Sequence, residues 1–207
     1  MTNRIDMTEK KLINDILDFW FGKPENGWPT KSTAQRWFLG GEIFDRQIQA
    51  QFENYVNNAL NGAYEHWKQT PESCLALILL SDQFTRNIFR GTEKAFAGDA
   101  VALDAAQYAI VNGLHLQLEN YQRIFMYMPY EHSESMEQQD HAVALFEELA
   151  QDDSTSQTKI NSFVEHARLH RGIIHRFNRF PHRNQVLNRS SSMEELAYLM
   201  EGVRFGQ

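Results

Sequence analysis

Apolar residues recur at spacings of three and four along nearly the whole chain. Leu12, Ile13, Ile16, Leu17 and Trp20 trace one face of a first helix, and Gly22 stands where a C-terminal cap belongs. Phe44, Ile48, Phe52, Tyr55, Val56 and Ala59 trace another, ended by Asn61–Gly62. Thr70–Pro71 is a start signal, a threonine cap followed by proline in the first helical position. The run "CLALILL" behind it is apolar all round and predicts a central, buried helix. A strand competes for that run alone, but the start signal before it and the polar "SDQF" after it favour helix. Thr92 or Asp99 opens the next helix, whose small face (Ala102, Ala105, Ala106, Ala109, Ile110) lets neighbours approach closely before Asn112–Gly113 closes it. "ENYQRIFMYMP" predicts a short helix stopped by Pro129. Ser133 opens another, with Glu134 and Glu137 in its first turn, where negative charge complements the helix dipole. Ile160, Phe163, Ala167, His170, Ile174 and Phe177 form a long stripe that Pro181 interrupts. A capping box of Ser191 and Glu194 starts a last helix, packing through Leu196, Met200 and Val203.

The pattern amounts to eight or nine helices with no convincing strand alternation, an all-α chain. Short connections make neighbouring helices antiparallel. The expected organisation is one helical domain over 1–207. Its most linker-like stretch, near 151–158 ("AQDDSTSQT" and its edges), is where two helical subdomains would part. No clean 34-residue repeat is present, yet layered helix pairs are the natural way to bury so many amphipathic faces.

Composition narrows the class. Of the 207 residues 42% are hydrophobic, enough for a core, and no apolar run reaches the ~18 residues of a membrane span. The polar start "MTNRIDMTEKK" lacks the apolar stretch of a signal peptide. Cys74 is the single cysteine, so internal disulfides and cysteine-built zinc sites are excluded and a reducing cytoplasm is the expected location. The net charge of −7 argues against a general nucleic-acid binder.

Charge is nonetheless unevenly placed. From Ile124 to Thr158 there is no lysine or arginine, and from Ala167 to Met193 there is no acid while Arg168, Arg171, Arg176, Arg179, Arg183 and Arg189 are present. Two helices of opposite charge lying side by side explain the helical arginines. They explain the turn arginines in "RFNRFPHRNQVLNR" (176–189) less well.

Three polar stretches interrupt the apolar pattern: "DQFTRNIFRG" (82–91), "MPYEHSE" (128–134) and that arginine-rich turn. The first and third each carry a phenylalanine, an Arg-Asn pair (Arg86–Asn87, Arg183–Asn184) and a further arginine (Arg90, Arg189). Guanidinium groups offer fixed, paired donors that fit carboxylate and phosphate oxygens, and asparagine amides add a donor and an acceptor. Arg86, Asn87, Arg90, Arg179, Arg183 and Asn184 are therefore the candidate ligand-binding residues. Two alternatives stand beside this reading. Arginines at helix ends neutralise the dipole, and Asp82, Asp99 and Glu134 can occupy the guanidiniums as internal ion pairs.

His132, among Glu131 and Glu134 at a helix start, is the acid–base candidate, with Glu134 beside it and His182 as a second imidazole between Pro181 and Arg183. His170 falls within the apolar stripe and turns inward, as a hydrogen-bonded core residue. His166 and His170 lie four apart, which alone is weak support for a metal; no metal or cofactor is assigned. Nucleophile elbows, P-loops and dinucleotide glycine patterns are absent. Trp20, Trp37 and Trp67 read as packing anchors, and Trp28, beside Gly27 and Pro29, as partly exposed.

"ILDFWFG", "LALILLSDQFTRNIFRGTEKAFAGD", "YMPYEHSE" and "FNRFPHRNQVLNRSSSMEE" resemble, in this order, the uncharacterised bacterial domain-of-unknown-function family 924. The likeness runs from near Leu17 almost to the C-terminus. It implies an all-helical fold similar to tetratricopeptide-repeat superhelices and no established activity. The family pattern carries proline where Thr85 stands and glycine where Asn178 and Asn188 stand. Asparagine is the side chain that best tolerates a left-handed backbone after glycine, so the turn around Pro181 is expected to survive.

Three functional readings follow. The first is a helical binding domain with an Arg/Asn/His groove for an anionic small molecule or a peptide carboxylate. The second is an acid–base, hydrolase-like enzyme using His132, Glu134 and His182. The third is nucleic-acid binding through 168–189, disfavoured by the overall acidity.

Overall fold

Capping chemistry sets where the helices begin and end. In the computed structural model, which describes residues 5–152 and 157–201, α1 (Met7–Phe21) starts on a capping box. Asp6 accepts the Glu9 N–H at 2.8 Å, and Glu9 reaches back to the Asp6 N–H. The helix stops at Gly22, whose φ of 62° leaves the helical region. α2 (Lys31–Leu39) and α3 (Gly41–Leu60) follow. α4 (Pro71–Ile78), a π-helical stretch (Leu79–Phe84) and α5 (Thr85–Ile88) run on as one rod, then come α6 (Asp99–Val111) and α7 (Asn120–Glu131). α8 (Met136–Asp152), α9 (Gln157–Phe177) and α10 (Met193–Glu201) complete the chain. Counting the rod once, the described residues hold nine helices, and their only strand-like pairing is a bridge between Glu25 and Trp28. The chain is all-α. No described helix is long and apolar enough to cross a membrane.

The chain divides into two compact units, with the boundary inside α7. The first comprises the chain through Arg90 together with Lys94–Met126; the second comprises Gly91–Glu93 and the chain from Tyr127 onward. The linker-like stretch near 151–158 falls instead between α8 and α9, and 153–156 lie outside the described residues.

The first unit is built on an aromatic core. Trp20 stacks on Trp37 and Phe44 and meets Phe125 edge-on, and the Trp37 indole N–H donates to the Trp20 carbonyl at 2.9 Å. "CLALILL" is buried along its whole length, as an all-round apolar rod must be. Each large apolar side chain removed from water contributes about 1.5–3 kcal/mol. Trp28 corrects an expectation: it is buried, with its ring 6.1 Å from that of Tyr121.

In the second unit α8 and α9 lie antiparallel, since Arg168 meets Glu147 and Arg171 meets Asp140, both at 2.6 Å. This accounts for the α8–α9 part of the segregated charge; Arg176 and Arg179 meet Glu194 and Glu195 instead, and Arg189 meets Glu134. The two α8–α9 pairs are exposed, so each stabilises by at most about 1 kcal/mol. Beneath them Phe146 stacks on Phe163, and Ile173, Ile174 and Phe180 form a core with Met136, Phe177 and Tyr198 packed against it.

Three boundaries differ from the sequence reading. α7 passes through Pro129 and ends at Glu131, because a proline in the last turn forfeits one bond while the His132 N–H still reaches the Met128 carbonyl at 2.9 Å. α8 opens at Met136 rather than Ser133, its first bond running from the Gln139 N–H to the Ser135 carbonyl. The capping box of α10 is Ser192 with Glu195, one residue later than Ser191 with Glu194. Glu195 on Arg179 and Tyr198 against Phe177 face inward, and Leu196 and Met200 are exposed rather than packed. Val203 lies outside the described residues.

Candidate functional site

The first polar corner belongs to the first unit and grows out of the π-helical stretch. Widening the turn displaces backbone carbonyls from the regular ladder. The Ser81 carbonyl is taken up by the Thr85 hydroxyl at 2.6 Å, and Gly98 leaves it room: a Cβ there would lie 1.9 Å from that oxygen. Asp82, fully buried, accepts from Gln83 at 2.5 Å and pairs with Arg86 at 2.9 Å. The other arm of Arg86 meets Asp99 at 2.9 Å. Burial alone would lower the Arg86 pKa, but Asp82 and Asp99 outweigh it and raise it above its ordinary value. Asn87 donates to Asp45 at 2.7 Å, and Arg90 binds the same carboxylate at 2.9 and 3.2 Å. The corner thus ties the rod to α6 through Arg86 and to α3 through Asn87 and Arg90.

The second and third corners both belong to the second unit, which brings them together. The Arg183 guanidinium donates to the His132 carbonyl at 2.9 Å and lies 4.5 Å from the centre of the Phe180 ring. The His182 ring is 5.5 Å from Phe180 on the same turn. Glu134 is drawn into the turn: it accepts the Phe180 N–H at 2.8 Å and two bonds from Arg189, at 2.7 and 3.0 Å. Burial would raise its pKa, yet Arg189 and the Phe180 N–H hold it below the usual carboxylate range. Asn184, buried, accepts from Arg189 and donates to Ser191. Arg179 forks onto Glu195 at 2.6 and 2.8 Å and holds that carboxyl down at about 2. Asn178 and Asn188 have φ of 57° and 52°, the left-handed backbone expected of residues in glycine's place.

Sequence reading placed His170 inward but missed its partner. Glu131 and His170, both buried, meet at 2.8 Å through the ring's Nδ1, which also faces the His166 carbonyl at 2.9 Å. Both neighbours accept, so these contacts are hydrogen bonds in the tautomer that carries its proton on Nδ1. Burial would raise the Glu131 pKa; His170 first, with His132 and His166 behind it, draws it below normal instead. The His132 ring is 6.4 Å from that of His170, and the Phe180 ring is 5.4 Å from it. The missed signal was spacing: Ile124, Tyr127 and Met128 continue to Glu131 on one buried face, provided the helix is not stopped at Pro129.

Among the described residues no group of three or more His, Cys, Asp or Glu side chains is placed to hold a metal. A groove of about 600 Å³ lies in the first unit along α1 and the start of α4, lined by Lys10, Asn14, Thr70 and Ser73 among others. A smaller hollow of about 250 Å³ lies beside α6. Neither is lined by a residue of the first corner.

Comparison with known proteins gives a consistent result. The family model described as "Bacterial protein of unknown function (DUF924)" matches residues 16–203. A solved structure, a protein of unknown function (ATU0120) from Agrobacterium tumefaciens, is similar at 35% identity and a TM-score of 0.79, over 93% of this chain and 99% of that one. Among curated proteins there is no match.

Proposed function

Because the chain belongs to the DUF924 family of bacterial proteins, whose function is unknown, its role has to be read from its own corners, and we propose that it is a helical binding domain for an anionic small molecule or a peptide carboxylate. The observation that carries this reading is the bond from Arg183 to the His132 carbonyl. It joins two polar stretches about fifty residues apart, with a buried guanidinium of fixed orientation between them and His132 and His182, one on each stretch, part-exposed. Orientation matters because a pre-set donor loses less entropy on binding. Asn184 and Arg179 support the turn from behind. Arg86, Asn87 and Arg90 are held by Asp82, Asp99 and Asp45, so in this reading the first corner takes an anion only where it replaces one of those carboxylates. The reading includes antiparallel helix pairs stacked in the manner of tetratricopeptide repeats, which often bind along one face; that step is analogy from fold. The test is thermal shift with inorganic phosphate, acetate and a short peptide bearing a free C-terminal carboxylate. A saturable stabilisation lost in His132→Ala and His182→Ala supports the reading, and a response unchanged in both rejects it. Arg86→Ala tests the first corner separately.

A second reading, an acid–base enzyme, is favoured by the Glu131–His170 pair. A carboxylate that fixes an imidazole through Nδ1 is the usual way to present Nε2 for proton transfer. In this reading His132 and His182 complete the proton-handling groups, and Glu134 supports them by holding the turn. Hydrolysis of ester or phosphate reporters that persists undiminished in His132→Ala, His170→Ala and His182→Ala would exclude it.

A further inference from the structure

The chain contains three Asn-Gly pairs, Asn26–Gly27, Asn61–Gly62 and Asn112–Gly113, and each lies in a turn. In such a pair the glycine nitrogen can approach the asparagine side-chain amide, because glycine has no Cβ to hinder the movement. The three pairs differ in what holds that nitrogen. Asn61 closes α3 with ψ of 7°, and the Gly62 N–H donates to the Ala59 carbonyl at 3.0 Å. Asn112 closes α6 with ψ of 5°, and the Gly113 N–H donates to the Ile110 carbonyl at 3.1 Å. The Asn112 amide is held as well, donating to the Tyr108 carbonyl at 2.8 Å. Asn26 and Gly27 are exposed, and neither the Asn26 amide nor the Gly27 N–H is hydrogen-bonded among the described residues. A Cβ at Gly27 would have nothing within 4 Å.

The first turn also has a route to the reactive geometry. Asn26 and Gly27 have φ of 52° and 73°, the two positive values of a type I′ turn. Glu25 and Trp28 close it with bonds of 2.8 and 3.1 Å. Turning over the one peptide unit between Asn26 and Gly27 converts type I′ to type II′ and carries the Asn26 ψ to about −120°. Both closing bonds survive that flip, since Glu25 and Trp28 make them. At that ψ the Gly27 nitrogen can close a five-membered ring on Asn26 Cγ. Rotating Asn61 or Asn112 to the same ψ swings the next N–H out of the bond that ends its helix.

We propose that Asn26 is a site of spontaneous deamidation in the folded protein and the first of the three to react. The deprotonated Gly27 nitrogen attacks Asn26 Cγ, the Cγ–Nδ2 bond breaks, and ammonia leaves with the proton. Water then opens the succinimide. Attack at Cγ restores the main chain with aspartate at 26; attack at the Asn26 main-chain carbonyl leaves isoaspartate, with one extra carbon in the main chain. The net change is an amide and water giving a carboxylate and ammonium. The lengthened chain no longer fits a two-residue turn. The Glu25–Trp28 bridge therefore opens, and the buried Trp28, whose ring is 6.1 Å from that of Tyr121, loosens.

Peptide mapping by mass spectrometry of the folded full chain, held at neutral and at mildly alkaline pH, tests this. Asn26 is modified first, and faster at the higher pH because the attacking nitrogen must lose its proton. Each hydrogen bond that must open beforehand slows the reaction about fivefold, so Asn61 reacts about fivefold and Asn112 about 25-fold more slowly. In urea the three rates converge. Tryptophan emission shifts to the red as isoaspartate accumulates, and Asn26→Gly, which suits the same turn, shows no modification there and no shift. Asn61 or Asn112 reacting before Asn26 overturns the proposal, as do three folded-state rates no further apart than those in urea. Constant emission in fully isoaspartyl protein overturns the loosening of Trp28.

Discussion

Gly98→Ala is the substitution whose outcome the first corner determines most directly. The added Cβ would lie 1.9 Å from the Ser81 oxygen, 2.7 Å from the Ser81 carbonyl carbon and 3.0 Å from Leu60 Cδ2. The first of these is about 1 Å short of the closest approach a Cβ tolerates, 3.0 Å. Neither side can yield cheaply. Ser81 is in the π-helical stretch with its oxygen bound by Thr85, and Gly98 directly precedes Asp99, which holds Arg86. Overpacking of this kind costs about 1–3 kcal/mol, and loosening the charge-assisted Arg86–Asp99 contact adds about 1.5–3 kcal/mol. The expected loss is about 3 kcal/mol or more, a fall of about 1.5 M in the urea midpoint for a slope near 2 kcal/mol/M. Trp20, Trp28, Trp37 and Trp67 all lie in the first unit, so tryptophan fluorescence follows that unit alone. A Gly98→Ala protein whose fluorescence midpoint matches the parent within about 0.5 kcal/mol would refute the close approach and the role given to the π-helical stretch.

The same exchange at Gly172 should have the opposite sign. That position is mid-helix in α9 with open space where a Cβ would go. Gly172→Ala therefore stabilises the second unit by about 0.5–1 kcal/mol, read by circular dichroism in urea. Glu195 has a folded pKa of about 2, below its ordinary value of 4.5, so the stability it contributes is fully present above pH 4.5 and is lost as the pH falls toward 2. Glu195→Gln should flatten the acid limb of the second unit's stability profile, and an unchanged limb would contradict the Arg179–Glu195 fork. Burial raises the Cys74 thiol to about 12, so it should resist a thiol reagent at neutral pH until urea unfolds the first unit. Reaction at the rate of a free thiol in the folded protein would contradict its burial.

The helices were legible because their signals are local. "CLALILL" is apolar all round wherever it is placed, and Gly22 ends α1 through its own backbone. Asn178 and Asn188 stand where the family pattern carries glycine, and that resemblance announced their left-handed backbone. Errors arose where a local signal had two readings a residue or two apart. Ser191 and Ser192 are equally good caps until Glu195 finds Arg179. Pro129 stops a helix in general, but α7 carries it in its final turn, and Glu131 came into view only once the helix was allowed past it.

The order of helix-forming segments, the segregation of acidic and basic runs, and the gathering of arginine, asparagine and histidine at the polar corners were determined by the sequence itself, since propensity, capping and periodicity act within a turn or two. Tertiary structure decided which carboxylate each arginine meets, for Asp45 is reached from Arg90 and Glu134 from Arg189 only after helices distant in sequence have packed. It also decided which face of α10 looks outward. A helix's pattern marks its apolar side, but only contacts with its neighbours, Glu195 on Arg179 and Tyr198 on Phe177, fix the rotation that buries or exposes it.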